Sequence, residues 1–442
     1  MANSAHPLQN ISLSAALADV EARYIAANPK SKARFEAAAH NMPGGNTRTI
    51  LHYDPFPVVI VRGEGVRLTD LDGHLYTDYL GEYTAGLYGH SEPAIAAAIQ
   101  EALSGGLVLG GPNAYEARLA ELMCERFPAV ELVRFCNSGT EANLMCLSLA
   151  RAATGRDAIM VFNGAYHGGF LAFANGGSRV NAPFEYVVGE YNDPEGTQQL
   201  ISQNAGKLAA VIVEPMMGAG GCIPADREFL DVLRRETERH GIVLIFDEVM
   251  TSRLAPGGLH GALGFAPDLV SFGKYLGGGV TFGAFGGRRE LMGLLDPTRK
   301  DGFMHSGTYN NNVLTMAAGV AGLEKVFTPA RAEELNASGD GLRQRLNALI
   351  DKHNVPMQVL GRGSMLCVHP TRKPIRRPSD HASAPTDARR LLHLELNLRG
   401  FYTAPRGFMS LSLPHTESDH DRLVAAFEGF LEDYAGVLAQ PD

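Results

Sequence analysis

Four short stretches constrain the fold more than anything else in this chain: "AIMVF" (158–162), "AAVIVEP" (209–215), "GIVLIFDEV" (241–249) and "DLVSFGK" (268–274). Each is almost continuously apolar, so each reads as a strand covered on both faces rather than one with a wet side. The segments between them, such as 225–240, are amphipathic with helical spacing. Strands alternating with helices from about 131 to 290 specify an α/β domain around a mainly parallel sheet. In such sheets ligands gather where strands end, and the polar residues of interest stand there: Asp247 after "LIF" and Lys274 after "SFG".

Outside this region the pattern changes. Residues 11–40 have helix-compatible spacing, and "NMPGGNTR" (41–48) interrupts it. "PVVIVRGEGVRLTDLDGHLYTDYL" reads as short strands joined by Gly or Asp-Gly turns, followed by helices near 91–103 and 113–126. A helical region is expected over 310–353. A solvated Pro- and Arg-rich loop is expected over 369–387, then a helix over 387–399, short strands and a closing amphipathic helix. The expected division is an N-terminal segment 1–75, a large domain 76–330 and a small domain 331–442, the two ends together forming one α+β unit.

Bulk composition excludes several classes. Thirty-nine basic against 48 acidic side chains give a net charge of −9, which disfavours a broad nucleic-acid or anionic-membrane surface. The five cysteines, Cys124, Cys136, Cys146, Cys222 and Cys367, are scattered and odd in number, so they read as reduced thiols of a cytoplasmic protein. Neither a secretory signal nor an apolar run of membrane-spanning length stands out. No cysteine–histidine spacing suggests a zinc site, and no metal is expected.

Lys274 is not a phosphate-loop lysine, because Asp268 stands where the first glycine of that motif belongs and Tyr275 follows where Ser or Thr is needed. A lysine at a strand end among glycines is either an exposed charge or an amine able to condense with an aldehyde, which requires a neutral amine in a desolvated or electropositive site. Asp247 is costly to bury without a cationic or hydrogen-bonding partner. A protonated pyridine nitrogen, a metal ion or a helix cap would each serve. "NSGTEAN" (137–143) opens a helix with small residues suited to a phosphate dianion, although Ser138 would look the same as an ordinary N-cap. Tyr166 in "GAYHGG" fits either a stacked ring or core packing, and Thr308 in "HSGTYNNN" is a second candidate phosphate donor.

Taken together, "NSGTEAN", "YHG", "VEP", "FDEV", "SFGKYLGGG" and "HSGTYNNN" occur in the order and approximate spacing of the class III (omega-type) aminotransferases, and from about Pro43 to the C-terminal helix the chain resembles that family. The resemblance implies fold type I and the cofactor pyridoxal 5'-phosphate. It makes Lys274 the cofactor-binding lysine and proton shuttle, Asp247 the partner of the pyridine nitrogen, and Tyr166 the stacking ring. Ser138, Gly139 and Thr140 would hold the phosphate, Thr308 would reach in from the neighbouring subunit of a homodimer, and Glu214 would lie near the cofactor. Within the family, "PGGNTR", "EYTAGLYGHS", "DEVMTSRLAP" and "PRGFMSLSLP" are most similar to transaminases of aromatic β-amino acids such as (S)-β-phenylalanine, with 2-oxoglutarate or pyruvate as acceptor. Arg48 and Arg406 then become carboxylate clamps. Glutamate-1-semialdehyde 2,1-aminomutase is the alternative within the family, and a catalytically silent cofactor-binding protein the alternative outside it.

Overall fold

In the computed structural model, which describes residues 12–439, seven strands form the central sheet. Their order is Leu132–Cys136, Gly283–Gly287, Leu269–Gly273, Val243–Asp247, Leu208–Val213, Ala158–Phe162 and Glu185–Gly189. Gly283–Gly287 runs antiparallel to both neighbours, and the remaining pairs are parallel. Four of the strands, at 158–162, 208–213, 243–247 and 269–273, are buried along their whole length. That burial is the reason their sequences carry no alternation. Helix Gly139–Thr154 packs against Leu269–Gly273 and Gly283–Gly287 through Ala142, Asn143, Cys146, Leu147, Leu149 and Ala150.

Two elements follow rules that composition obscures. The strand "GAFGG" is built from the residue least suited to strands, yet a side chain is impossible at several of its positions. A Cβ at Gly283 would lie 2.1 Å from the Ser138 carbonyl oxygen, and one at Gly286 would lie 2.6 Å from the Leu132 carbonyl oxygen. Glycine is required here because neighbouring backbone passes too close for anything else. The strand Glu185–Gly189 at the opposite edge alternates in burial, with Val187 inward and Val188 exposed.

The N-terminal helical region is two helices, Leu13–Ala27 and Pro29–Ala39, with Asn28 between them and Pro29 opening the second. Residue 11 of the expected span lies outside the described residues. The helical region expected over 310–353 is made of successive helices. Val313–Ala321 passes through a π-helical turn, Gly322–Val326, before Thr328 caps a new helix at Pro329–Lys352. The 369–387 stretch is not simply a solvated loop. His369 and Ile375 are buried, and Arg372 donates to the Val355 carbonyl at 2.7 Å.

Both ends of the chain meet in smaller sheets. Ile60–Glu64, Arg67–Asp70 and Leu75–Asp78 form an antiparallel run, and Phe401–Tyr402 adds to its edge parallel to Leu75–Asp78. Gln358–Arg362, Met365–His369 and Phe408–Ser410 make a three-stranded antiparallel sheet. The last helix, Glu417–Leu438, begins with a capping box in which Thr416 and Asp419 satisfy each other's backbone N–H groups.

The close passage at Gly283 gives a direct check. Gly283→Ala is expected to push the Ser138 carbonyl away, lower stability by about 1–3 kcal/mol and weaken cofactor retention; an unchanged melting temperature would contradict the packing described.

Candidate functional site

Five parallel strands deliver the site from their carboxyl ends. Leu132–Cys136 leads to Ser138, Gly139 and Thr140; Ala158–Phe162 leads to Tyr166; Leu208–Val213 leads to Glu214; Val243–Asp247 ends in Asp247; and Leu269–Gly273 is followed directly by Lys274. Asp247 lies opposite Ser271 in the register between the last two strands, so the carboxylate and the lysine emerge side by side.

Lys274 has a left-handed backbone with φ of +55°, a conformation in which a residue with a Cβ is held at a cost of roughly 1–2 kcal/mol. Its Nζ donates to the Tyr83 carbonyl at 2.7 Å. The residue retains some contact with solvent, but its amine end has lost most of its hydration. Burial, reinforced by the positive charges of Arg406 and Arg48, pushes the amine down to about 8, against the opposing pull of Glu82 and Asp247. A substantial fraction is therefore neutral near physiological pH, as condensation with an aldehyde requires.

Asp247 is buried and fully engaged. Its Oδ2 accepts from Asn143 Nδ2 and His167 Nδ1, each at 2.8 Å, and its Oδ1 accepts from the Val249 amide at 3.0 Å. These donors orient the carboxylate. His167 and Asn143 lie inside "YHG" and "NSGTEAN", yet sequence reasoning assigned them nothing, since only the fold brings them to Asp247. The His167 Nε2 is buried with no partner among the described residues.

Glu214 is buried as well, accepting from the amides of Tyr166 at 3.3 Å and Gly218 at 2.9 Å. Burial raises its pKa to about 7, with His167 opposing and the Asp247 charge reinforcing the rise. Tyr166 is 49% exposed, so core packing is not its role, and its ring is free to cover something flat.

Ser138 is the N-cap of Gly139–Thr154, its Oγ accepting from the Glu141 amide at 3.1 Å. The capping reading is thus correct, and it leaves the hydroxyl proton available to a ligand. The first-turn N–H groups of Gly139 and Thr140 have no intrahelical acceptor by construction and point out of the helix start. The space in front of them is kept by glycines. A Cβ at Gly139 would lie 2.8 Å from the Val249 side chain, and one at Gly168, whose φ is +124°, would lie 2.2 Å from Thr140 Oγ1.

Thr308 lies on an exposed stretch flanked by Met304 and Tyr309, and that stretch is joined to the residue before Ser138 by Asn137 Nδ2 donating to Asn310 Oδ1 at 3.0 Å. Arg48 and Arg406 come from the two ends of the chain. The Arg48 guanidinium forms an ion pair with Glu82. That of Arg406 lies 4.9 Å from the Tyr83 ring centroid and 5.4 Å from that of Phe408, with its Nε buried and unpartnered.

The aminotransferase class-III family model matches residues 51–387. The chain belongs to the class-III aminotransferases. A β-phenylalanine transaminase from Variovorax paradoxus is 51% identical over 423 residues, covering 96% of this chain and 97% of the relative. The solved structure of a β-phenylalanine aminotransferase from the same organism superposes with a TM-score of 0.96 at 50% identity, covering 98% of this chain and 100% of the other. A transaminase solved with pyridoxal phosphate bound is 32% identical with a TM-score of 0.85, covering 91% and 97% of the two chains.

This aminotransferase therefore uses pyridoxal 5'-phosphate, and its residues fit that group in three independent ways. A depressed amine stands ready for the aldehyde, an oriented buried carboxylate for the ring nitrogen, and a glycine-cleared helix start for the phosphate. The scattered cysteines form no disulfide. Among the described residues no helix is long and apolar enough to cross a membrane.

Because the cations of Arg406 and Arg48 hold the amine down, the rate at which cofactor-free enzyme captures pyridoxal phosphate is expected to fall as pH drops below about 8. Burial remains the larger cause, but Arg406→Gln removes the cation with the greater effect on Lys274, so the midpoint should move to higher pH. A midpoint that stays put, followed by the absorbance of bound cofactor, would show that Arg406 does not act on Lys274.

Proposed function

We propose that this enzyme transfers the amino group of an aromatic β-amino acid, of the (S)-β-phenylalanine type, to 2-oxoglutarate or pyruvate and releases a 3-oxo acid. The observation that carries this reading is the gathering of two guanidinium groups at the turn whose Tyr83 carbonyl receives the Lys274 amine: Arg48 pairs with Glu82, and Arg406 lies 4.9 Å from the Tyr83 ring centroid. The aromatic pair Tyr83 and Phe408, with centroids 5.8 Å apart, lies beside them. The similarity to a β-phenylalanine transaminase supports the same substrate class. In a β-amino acid the carboxylate is one carbon farther from the reacting carbon than in an α-amino acid, so a site that fixes the amine must place its arginine accordingly.

When bound, the cofactor supplies an aldehyde to carry the amino group and a protonated pyridine ring to withdraw electrons from the reacting carbon. Lys274 Nζ is the base that takes the proton from the amine-bearing carbon of the donor and delivers it onward. Its lowered basicity matches that task near neutral pH. Asp247, fixed by Asn143, His167 and the Val249 amide, presents its negative charge to the ring nitrogen. Tyr166 covers one face of the ring. Ser138, Gly139 and Thr140 bind the phosphate, and Glu214 keeps the Tyr166 turn in place.

The working unit in this reading is a homodimer with sites at the subunit interface, where Thr308 serves the phosphate of the partner subunit's site. The exposed apolar residues Leu107, Val108 and Leu109 support it, together with Phe303, Met304 and Tyr309. They belong to adjoining segments, tied by Asn113 Nδ2 donating to the Asn311 carbonyl at 2.9 Å. Apolar groups exposed on adjoining segments fit a contact with a second copy.

Adding (S)-β-phenylalanine without any oxo acid is expected to bleach the bound cofactor's absorbance near about 410–420 nm, and 2-oxoglutarate should restore it. Lys274→Ala should abolish both changes. A band that ignores β-phenylalanine but responds to a diamino acid or semialdehyde would assign the aminomutase reaction instead, and a band that answers no amine would mark a silent binding protein.

A further inference from the structure

The segment "EYTAG", which follows the strand Leu75–Asp78, is the most strained stretch near the site, and the chemistry above gives its Glu82 carboxylate no role toward substrate. Gly81, Glu82, Tyr83 and Thr84 have φ of +53°, +46°, +52° and +83°. Three consecutive residues bearing a Cβ in this region persist only where surrounding contacts over-determine them. Those contacts are present. Asp78 Oδ1 accepts from the Leu80 and Gly81 amides at 2.8 and 2.9 Å, and Ser410 Oγ donates to the Leu80 carbonyl at 3.0 Å. Arg253, fully buried, donates to the Thr84 carbonyl at 3.4 Å and also binds Ser364 Oγ and the Leu411 carbonyl.

This rigid turn presents two groups in one direction. The Tyr83 carbonyl receives the Lys274 amine, and the Glu82 carboxylate pairs with Arg48. Glu82 is thus one residue from the carbonyl that receives the reacting amine, which places the Arg48–Glu82 pair at the edge of the site; Arg48 lowers the Lys274 pKa and Glu82 raises it. Their side chains are 45% and 49% exposed, open enough for a ligand to compete. Arg406 differs: it has no carboxylate partner among the described residues.

We propose that Glu82 is a resident carboxylate that occupies Arg48 until a substrate carboxylate replaces it, making Glu82 a determinant of how tightly acids bind. The inference rests on the reading of Arg48 as a carboxylate clamp. Binding of an acid at Arg48 is then an exchange of one ion pair for another, and its net gain is reduced by whatever the Arg48–Glu82 pair contributes. Acids that engage Arg406 meet no such competitor. Glu82 therefore makes the two guanidinium groups unequal and favours ligands whose carboxylate falls at Arg406, unless the geometry at Arg48 is good enough to displace it. No bond to carbon forms or breaks in this exchange, and no proton need move.

The test uses holoenzyme and 3-phenylpropanoate, which carries the carboxylate and ring of β-phenylalanine but no amine and cannot react. Calorimetric titration is expected to show Glu82→Gln binding this acid about two- to fivefold more tightly than the parent protein, the range of a half-exposed ion pair. Glu82→Asp, which keeps the charge, should stay near the parent value. Arg48→Gln should bind weakly whether or not Glu82 is also replaced. If Arg48→Gln loses affinity while Glu82→Gln matches the parent, the inference is overturned and the clamp survives. Unchanged binding in Arg48→Gln overturns both. Equal effects of Glu82→Gln and Glu82→Asp would assign the change to the shape of the turn and also defeat the proposal. Melting temperature and cofactor absorbance of each variant confirm that the site remains folded.

Discussion

Removing water from the Lys274 amine penalises its charged form, and the site is arranged around that penalty. Two arginines increase it, while Asp247 and Glu82 limit it. The Tyr83 carbonyl provides the amine with a fixed acceptor in place of solvent. A lysine with its usual affinity for protons would be almost wholly protonated at neutral pH and inert as a nucleophile. Asp247 is handled differently: a buried carboxylate needs partners in place of water, and three hydrogen-bond donors supply them. Neighbouring parallel strands thus lead to a desolvated amine on one side and a carboxylate fixed by hydrogen bonds on the other.

The sheet explains how these groups meet. Parallel strands all present their carboxyl ends on one side, so residues far apart in the chain converge without long excursions of loop. The single antiparallel strand, Gly283–Gly287, fits between two of them only because it has almost no side chains. Its glycines also allow the helix Gly139–Thr154 to start close to the sheet. The glycine content of the chain is, in these places, a record of backbone packed on backbone.

Sequence alone reveals Lys274 and Asp247 because each is a polar residue at the end of an apolar run, a local signal that needs no tertiary information. Ser138, Gly139 and Thr140 are visible for the same reason at a helix start. Asn143 and His167 are not, since an asparagine inside a helix and a histidine beside glycines are ordinary until the fold carries them to a residue 104 and 80 positions away. "GAFGG" reads as a loop by propensity and is a strand by steric necessity. The helix break near Phe327 is muted in the sequence by apolar spacing that continues across it. Glu82 was hidden most completely: its importance depends on a left-handed turn that no periodicity reports.

The parallel pairing of Phe401–Tyr402 with Leu75–Asp78 bears on synthesis as well as on structure. The ribosome must make nearly three-quarters of the protein between these two strands, so the sheet they share closes only after most of the chain has emerged. Arg406 and Phe408 arrive with that late segment, whereas Lys274, Asp247 and the Ser138–Thr140 turn have all been translated before it. On the roles proposed above, a nascent or prematurely ended chain can hold the groups assigned to the cofactor and still lack one of the two arginines assigned to acids. In that reading, completion of the chain coincides with acquisition of selectivity.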